Sequence, residues 1–374
     1  MLGLLGVMLI SATMRAATSA MPAVEPGVSP LSLGMRVEGQ PQSIILSASF
    51  RTILYKSNTM QHQRCFIRTS LPLLAAAVPA LLGSVGLMHG AGVSTSLMIQ
   101  QAVVFVATIV LLGPALARLP RREAPWPGAP VMLAALLLLP LVMSAEPGPR
   151  RWLLLGPFRL YLAPMVIPVL LLLLGRREKA RPLWSLGAML LAGVALLLQP
   201  DAAQATALGV ALVPLLWSSR LWNSRQGNPG LWRSQTAPES TSNGWGGLRL
   251  IVAVAMLLLV GMAWRRPDPL QPVLHVEGVF ALAASLGPVA LGGAILAAAL
   301  PSVALFWQAR RMRSSEAGAV GVYSIALYYA ALLGLAPLQL TPVPLLGFGA
   351  GPLTGYGLVT MLVSRSQVHR GVDE

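Results

Sequence analysis

Charge-free apolar runs recur throughout this chain, and nothing constrains its fold more. Val131–Leu141, Pro164–Leu174 and Leu250–Val260 contain no Asp, Glu, Lys or Arg. Only 10% of the 374 residues are charged, against roughly 25% in a soluble domain whose surface must stay in water. Most of the chain must therefore face lipid. A transmembrane barrel would demand alternating polarity along each strand, and these runs do not alternate. The expected fold class is an all-α integral membrane protein.

Read as helices, the runs give about ten transmembrane spans, near 70–89, 97–117, 129–144, 158–175, 183–200, 203–219, 248–264, 287–308, 318–337 and 343–363. The segment 274–286 also reads as a separate half-helix. Basic residues gather in alternate loops: Arg118, Arg121 and Arg122, then Arg176, Arg177, Lys179 and Arg181, then Arg220, Arg225 and Arg233, then Arg310, Arg311 and Arg313, then Arg365 and Arg370. The other side holds Arg150, Arg151, Arg265 and Arg266, with Arg159 near the membrane edge. Cytoplasmic loops carry the excess of Lys and Arg, so both termini are expected in the cytoplasm. Residues 1–69 are expected to form a flexible cytoplasmic tail, 70–366 the membrane domain and 367–374 a second tail. Leu2–Ile10 is apolar but short, with no preceding Lys or Arg, which fits a cleaved signal peptide poorly. A start at a later methionine such as Met60 is the alternative. Residues 222–246, rich in Ser, Gly, Asn and Pro, read as a mobile cytoplasmic loop.

The net charge of +15 does not point to nucleic acid, because no basic stripe with interleaved aromatics appears. Cys65 is the single cysteine, which excludes an intrachain disulfide and a cysteine-based metal site. Acidic residues are few enough to place one by one. Glu146, Asp201, Asp268 and Glu277 fall on the outer side, and two of them abut apolar helix ends: Asp201 in Leu196–Asp201 and Glu277 in His275–Phe280. An ionisable group at membrane depth is costly and so marks a candidate site. The plainer reading makes Asp201 the N-terminal cap of the following helix, Glu277 a solvated loop residue, His275 an interfacial polar group and Arg150-Arg151-Trp152 an interface anchor.

Four segments, in order, resemble the shape, elongation, division and sporulation family, FtsW/RodA/SpoVE. Arg150–Phe158 is similar to the family's Arg-Arg-Trp … Gly-Pro loop after the third span, and Gln199-Pro200-Asp201 to its Gln-Pro-Asp motif. His275–Ala281 resembles its His-Thr-Asp-Phe-Ile-Phe-Ala segment, and Pro342–Gly351 its Pro-Leu-Pro-Phe … Ser-Tyr-Gly-Gly stretch. The resemblance implies a bacterial inner-membrane protein that polymerises lipid II at the outer leaflet. It also implies a class B penicillin-binding transpeptidase, or other divisome or elongasome proteins, as partner. It places the catalytic carboxylate at Glu277 and the substrate-binding groups at Arg150, Arg151, Trp152, Gln199, Asp201 and His275. A carboxylate would take the proton of the acceptor hydroxyl, and arginine forks pair with diphosphate oxygens. A bound divalent cation is a further way to neutralise the leaving diphosphate.

The chain departs from the family at Leu160–Pro164, where Gln-Pro-Ser-Glu is expected, in the short loop from Trp264 to His275, and in the apolar stretch Leu332–Thr341. These departures set a non-catalytic scaffold or regulator of wall synthesis beside the enzyme reading. A lipid-linked precursor transporter fits less well, because transporters hold their polar sites near the bilayer midplane. The topology predicts that reporter fusions after Arg151 and after Glu277 both report the periplasm; opposite sides would contradict it.

Overall fold

The computed structural model describes residues 42–112, 128–143, 150–155, 158–176, 182–218, 244–266, 271–312 and 317–368. The expectations for residues 1–41, for the loop 222–243, for the Gly156-Pro157 pair, for Glu146 and Asp268 and for the basic loops at 118–122, 177–181 and 220–233 lie outside these residues, as do those for Arg313 and residues 369–374.

The described chain is helical apart from one hairpin. In order it forms α1 (Gln42–Gly90), α2 (Thr95–Ala107) continued by a π-turn (Thr108–Leu112), α3 (Ala129–Leu136), α4 (Leu139–Met143), β1 (Trp152–Leu155) and β2 (Phe158–Tyr161). Then follow α5 (Ala163–Gly175), α6 (Pro182–Leu198), α7 (Ala202–Trp217), α8 (Gly244–Arg265), α9 (Val279–Ser285), α10 (Pro288–Arg311), α11 (Ala317–Leu335) and α12 (Ala350–Val368). Four stretches are long and apolar enough to cross a membrane: Phe66–Gly90, Gly246–Arg265, Pro288–Arg311 and Gly318–Leu338. Shorter apolar helices cover Thr95–Leu111, Ala129–Met143, Ala163–Gly175, Leu183–Leu198 and Ala202–Trp217.

Three sequence expectations are corrected. Residues 158–161 are not the start of a span: they form β2, paired antiparallel with β1 in the register Trp152–Tyr161 and Leu155–Phe158. An apolar run of this length reads equally well as strand or helix, and the pairing partner lies only a few residues upstream. Residues 343–349 are turns, and α12 begins at Ala350. Residues 42–69, expected to lie outside the first helix, are helical and continuous with it. The half-helix near 274–286 is present as α9, separated from α10 at Gly287, whose φ of +114° is a conformation that favours glycine.

α11 is the centre of the bundle. It packs against α7, α10 and α5, and 56% of its span is buried against 17% for α8. Where α5 and α11 cross, a Cβ on Gly175 would overlap the backbone of Gly321, and one on Gly321 would stand 3.1 Å from the carbonyl oxygens of Leu171 and Leu172. With no hydrophobic drive between helices in lipid, such small-residue contacts set how closely they pack. α5 and α12 run parallel. Gly351 lies on the Tyr161 carbonyl at one end, while Arg176 donates to the Leu362 carbonyl at the other. Tyr328, Tyr329 and Tyr356 stack edge-on at 5.3 and 5.8 Å, and the Tyr356 hydroxyl donates to the Leu73 carbonyl at 2.7 Å, tying α12 to α1.

Gly175→Ala is expected to lower stability by about 1–3 kcal/mol through overpacking, read as a lower thermal midpoint in detergent. Gly292→Ala, whose added Cβ meets nothing, should stay within about 0.5 kcal/mol of the parent or rise.

Candidate functional site

The four sequence landmarks lie at one end of the bundle, and two of them meet at the C-terminus of a helix. α6 ends at Leu198 and leaves its last carbonyls without intrahelical partners. Two of these carbonyls, and those of the two residues that follow the helix, find other donors. Asp201 N–H reaches back to the Leu196 oxygen at 3.0 Å, and the Arg266 guanidinium donates to the Leu197 oxygen at 2.8 Å. Arg151, buried at 6% exposure, donates from Nε to the Gln199 oxygen at 3.3 Å and from Nη2 to the Pro200 oxygen. A guanidinium at the negative end of a helix is favourable for charge as well as for hydrogen bonding.

Gln199 is buried, and its Nε2 donates to the Leu137 oxygen. That carbonyl is free for a local reason. Pro140 has no N–H, and Leu141 N–H bonds to Leu138 instead at 3.0 Å. The break between α3 and α4 thus creates the acceptor that Gln199 uses.

Asp201 is fully buried and caps α7: its Oδ1 accepts the Gln204 N–H at 3.2 Å. The capping reading of the sequence is correct for this residue. Its Oδ2 accepts the Tyr161 hydroxyl. Tyr161 also stacks on Trp152, with ring centroids 5.0 Å apart, so the hairpin carrying Arg150 and Arg151 is fastened to Asp201. Within the stretch Leu160–Pro164 it is thus a phenol that supplies the polar contact. Gln204 continues the network. Its Nε2 donates to Thr341 Oγ1 at 3.1 Å, and its Oε1 accepts the Tyr328 hydroxyl at 2.5 Å.

The remaining landmarks join through the loop after α11. Phe348 N–H donates to the His275 oxygen at 3.1 Å, the two rings stand 6.3 Å apart, and a Cβ on Gly347 would overlap the Val276 carbonyl. Glu277 is half-buried at the end of a tight turn, and its Oε2 accepts the Val273 N–H at 2.9 Å. Arg150 is exposed and donates to the Leu141 oxygen at 3.1 Å.

Arg151, Gln199 and Asp201 thus hold one another and the α6–α7 junction, while Arg150, His275 and Glu277 lie on the two flanking loops with more of their surface free. Sequence reading missed Tyr161, Gln204, Tyr328, Thr341 and Arg266. One signal was present: Asp-Ala-Ala-Gln at 201–204 has the spacing of a capping box, although here the Gln side chain turns away to Thr341 and Tyr328. Among the described residues, no group of three or more His, Cys, Asp or Glu comes together, and none is assigned to a divalent cation.

No protein-family model matches the chain, and no curated protein does. Solved structures do. The rod shape determining protein RodA of Thermus thermophilus is 20% identical, with a TM-score of 0.52, covering 79% of this chain and 95% of its own. An Asp-to-Ala mutant of that protein is 21% identical over 79% and 96%, at the same TM-score of 0.52. A chain from a peptidoglycan synthase complex, described for the structural coordination of polymerization and crosslinking, is 22% identical with a TM-score of 0.53 over 80% and 97%. This chain has the RodA fold. At these identities the RodA likeness establishes architecture: a multi-pass helical membrane bundle.

Asp201→Ala is expected to cost about 2–4 kcal/mol, the sum of a lost cap and a buried phenol left without its acceptor. The double variant with Tyr161→Phe should be no worse than Asp201→Ala alone, read by thermal unfolding in detergent.

Proposed function

We propose that the protein is a divergent peptidoglycan glycosyltransferase of the FtsW/RodA/SpoVE family, polymerising lipid II at the outer leaflet of the bacterial inner membrane in wall synthesis for division or cell shape. On this reading the bundle makes about ten crossings, with both termini cytoplasmic. The observation that carries the proposal is the convergence of all four family-like segments at one end of a RodA fold. Glu277 is the catalytic carboxylate. The turn fixes one of its oxygens on the Val273 N–H and so orients the group toward an acceptor hydroxyl held within hydrogen-bond reach. The hydroxyl oxygen attacks the anomeric carbon of the growing chain, its proton passes to the carboxylate, and undecaprenyl diphosphate leaves. Arg150 and Arg266, both exposed, are the cations placed to meet the diphosphate. Arg151 positions the loop from which Arg150 acts, with Trp152, Gln199, Asp201 and His275 shaping the same end.

The partner proposed is a class B penicillin-binding transpeptidase. Its support is the likeness to a chain of a synthase complex in which polymerization and crosslinking are coordinated.

Purified protein given labelled lipid II, alone or with a cognate transpeptidase, should yield polymer, and Glu277→Ala and Glu277→Gln should reduce it by at least about a hundredfold. No polymer in either setting would overturn the enzyme reading in favour of a scaffold or regulator. Polymer unaffected by both variants would remove Glu277 from the chemistry.

A further inference from the structure

We infer that Tyr161, Gln204, Tyr328 and Thr341 are positioning residues: a buried hydrogen-bonded chain through Asp201 that fixes the spacing between the arginine hairpin and the loop bearing Glu277. The inference rests on the glycosyltransferase reading for its catalytic consequence and stands on geometry alone for its structural one.

The chain can be followed link by link. The hairpin ends at Tyr161, whose hydroxyl donates to Asp201 Oδ2. Asp201 Oδ1 accepts the Gln204 N–H at 3.2 Å, and the Gln204 side chain divides between Tyr328 at 2.5 Å and Thr341 at 3.1 Å. Thr341 opens the turns that lead to Gly347 and Phe348. These lie against the backbone of Val276 and His275, next to Glu277. Tyr161, Asp201, Gln204, Tyr328 and Thr341 are at most 3% exposed, so water cannot substitute for a lost partner. In such surroundings an unmade bond costs the full desolvation of the orphaned group, and the segments must shift to recover one.

The geometry also makes the arrangement selective. A Gln amide offers one acceptor and two donors. Here the acceptor takes the Tyr328 hydroxyl from α11 and a donor takes Thr341 from the loop beyond it. One side chain on α7 therefore fixes both the helix and the loop that follows it. A longer or shorter residue at 204 cannot hold both.

The test uses the full-length protein in lipid nanodiscs with Cys65→Ser as background. Spin labels at Val142→Cys on α4, which packs against β1, and at Leu274→Cys, 82% and 53% exposed, report the distance between the α4–hairpin unit and the Glu277 loop. Thr341→Val, which keeps shape and removes only the hydroxyl, should broaden or shift that distance and lower kcat for polymerisation about tenfold with KM within about twofold, since a misplacement near 1 Å costs up to about a hundredfold. Thr341→Ser should restore both readouts. Tyr161→Phe provides a second break in the same chain and should move the same distance.

If Thr341→Val and Tyr161→Phe are folded and leave the distance as in the parent, the inference is overturned, whether or not kcat changes. If the parent makes no polymer, the glycosyltransferase reading fails, and the distance arm alone decides the positional claim.

Discussion

A carboxylate buried away from water must be satisfied by the protein, and that requirement organises this structure. Asp201 sits fully buried where α6 gives way to α7, accepting from the Gln204 backbone and from Tyr161. Around it, the carbonyls of Leu196, Leu197, Gln199 and Pro200 are taken by the backbone of Asp201, by Arg266 and by Arg151. Arg151 and Asp201 are buried, so bonds within the protein must take the place of water. The polar residues are scarce, and they concentrate where a helix end supplies acceptors.

That concentration separates two kinds of residue within one neighbourhood. Arg151, Gln199, Asp201 and Gln204 bond inward and hold the junction. Arg150, Arg266, His275 and Glu277 stand on its outer margin with surface to spare. Neighbouring arginines with the same chemistry therefore have different roles. Arg151 sits in the helix-end carbonyls and orients the hairpin, while Arg150 projects from that hairpin. The junction thus has bonded, buried groups at its centre and exposed arginines at its margin.

Much of this was legible in the sequence, and the rest was hidden for specific reasons. Charge-free runs locate helices reliably, and α5 to α8 and α10 to α11 fall within a few residues of the expected spans. Gln199-Pro200-Asp201 announced the α6–α7 junction, because proline ends one helix and aspartate caps the next. The hairpin escaped notice because Trp152–Tyr161 is apolar apart from Arg159 on either reading, and only pairing with a partner strand decides it. Tyr161 looked like the loss of a polar group, since a phenol counts as hydrophobic until its hydroxyl finds an acceptor. The Gln204–Thr341 bond joins residues 137 positions apart, a long-range pairing beyond the reach of periodicity and local spacing.

The most direct test is photo-crosslinking with a lipid II analogue that carries a reactive group on its first sugar, followed by peptide mapping of the membrane-embedded protein. Labelling should fall on the hairpin around Arg150 and on the His275–Glu277 turn, and unlabelled lipid II should compete it away. Labelling confined to the opposite end of the bundle, near Arg176 and Arg365, or insensitive to that competitor, would contradict the account.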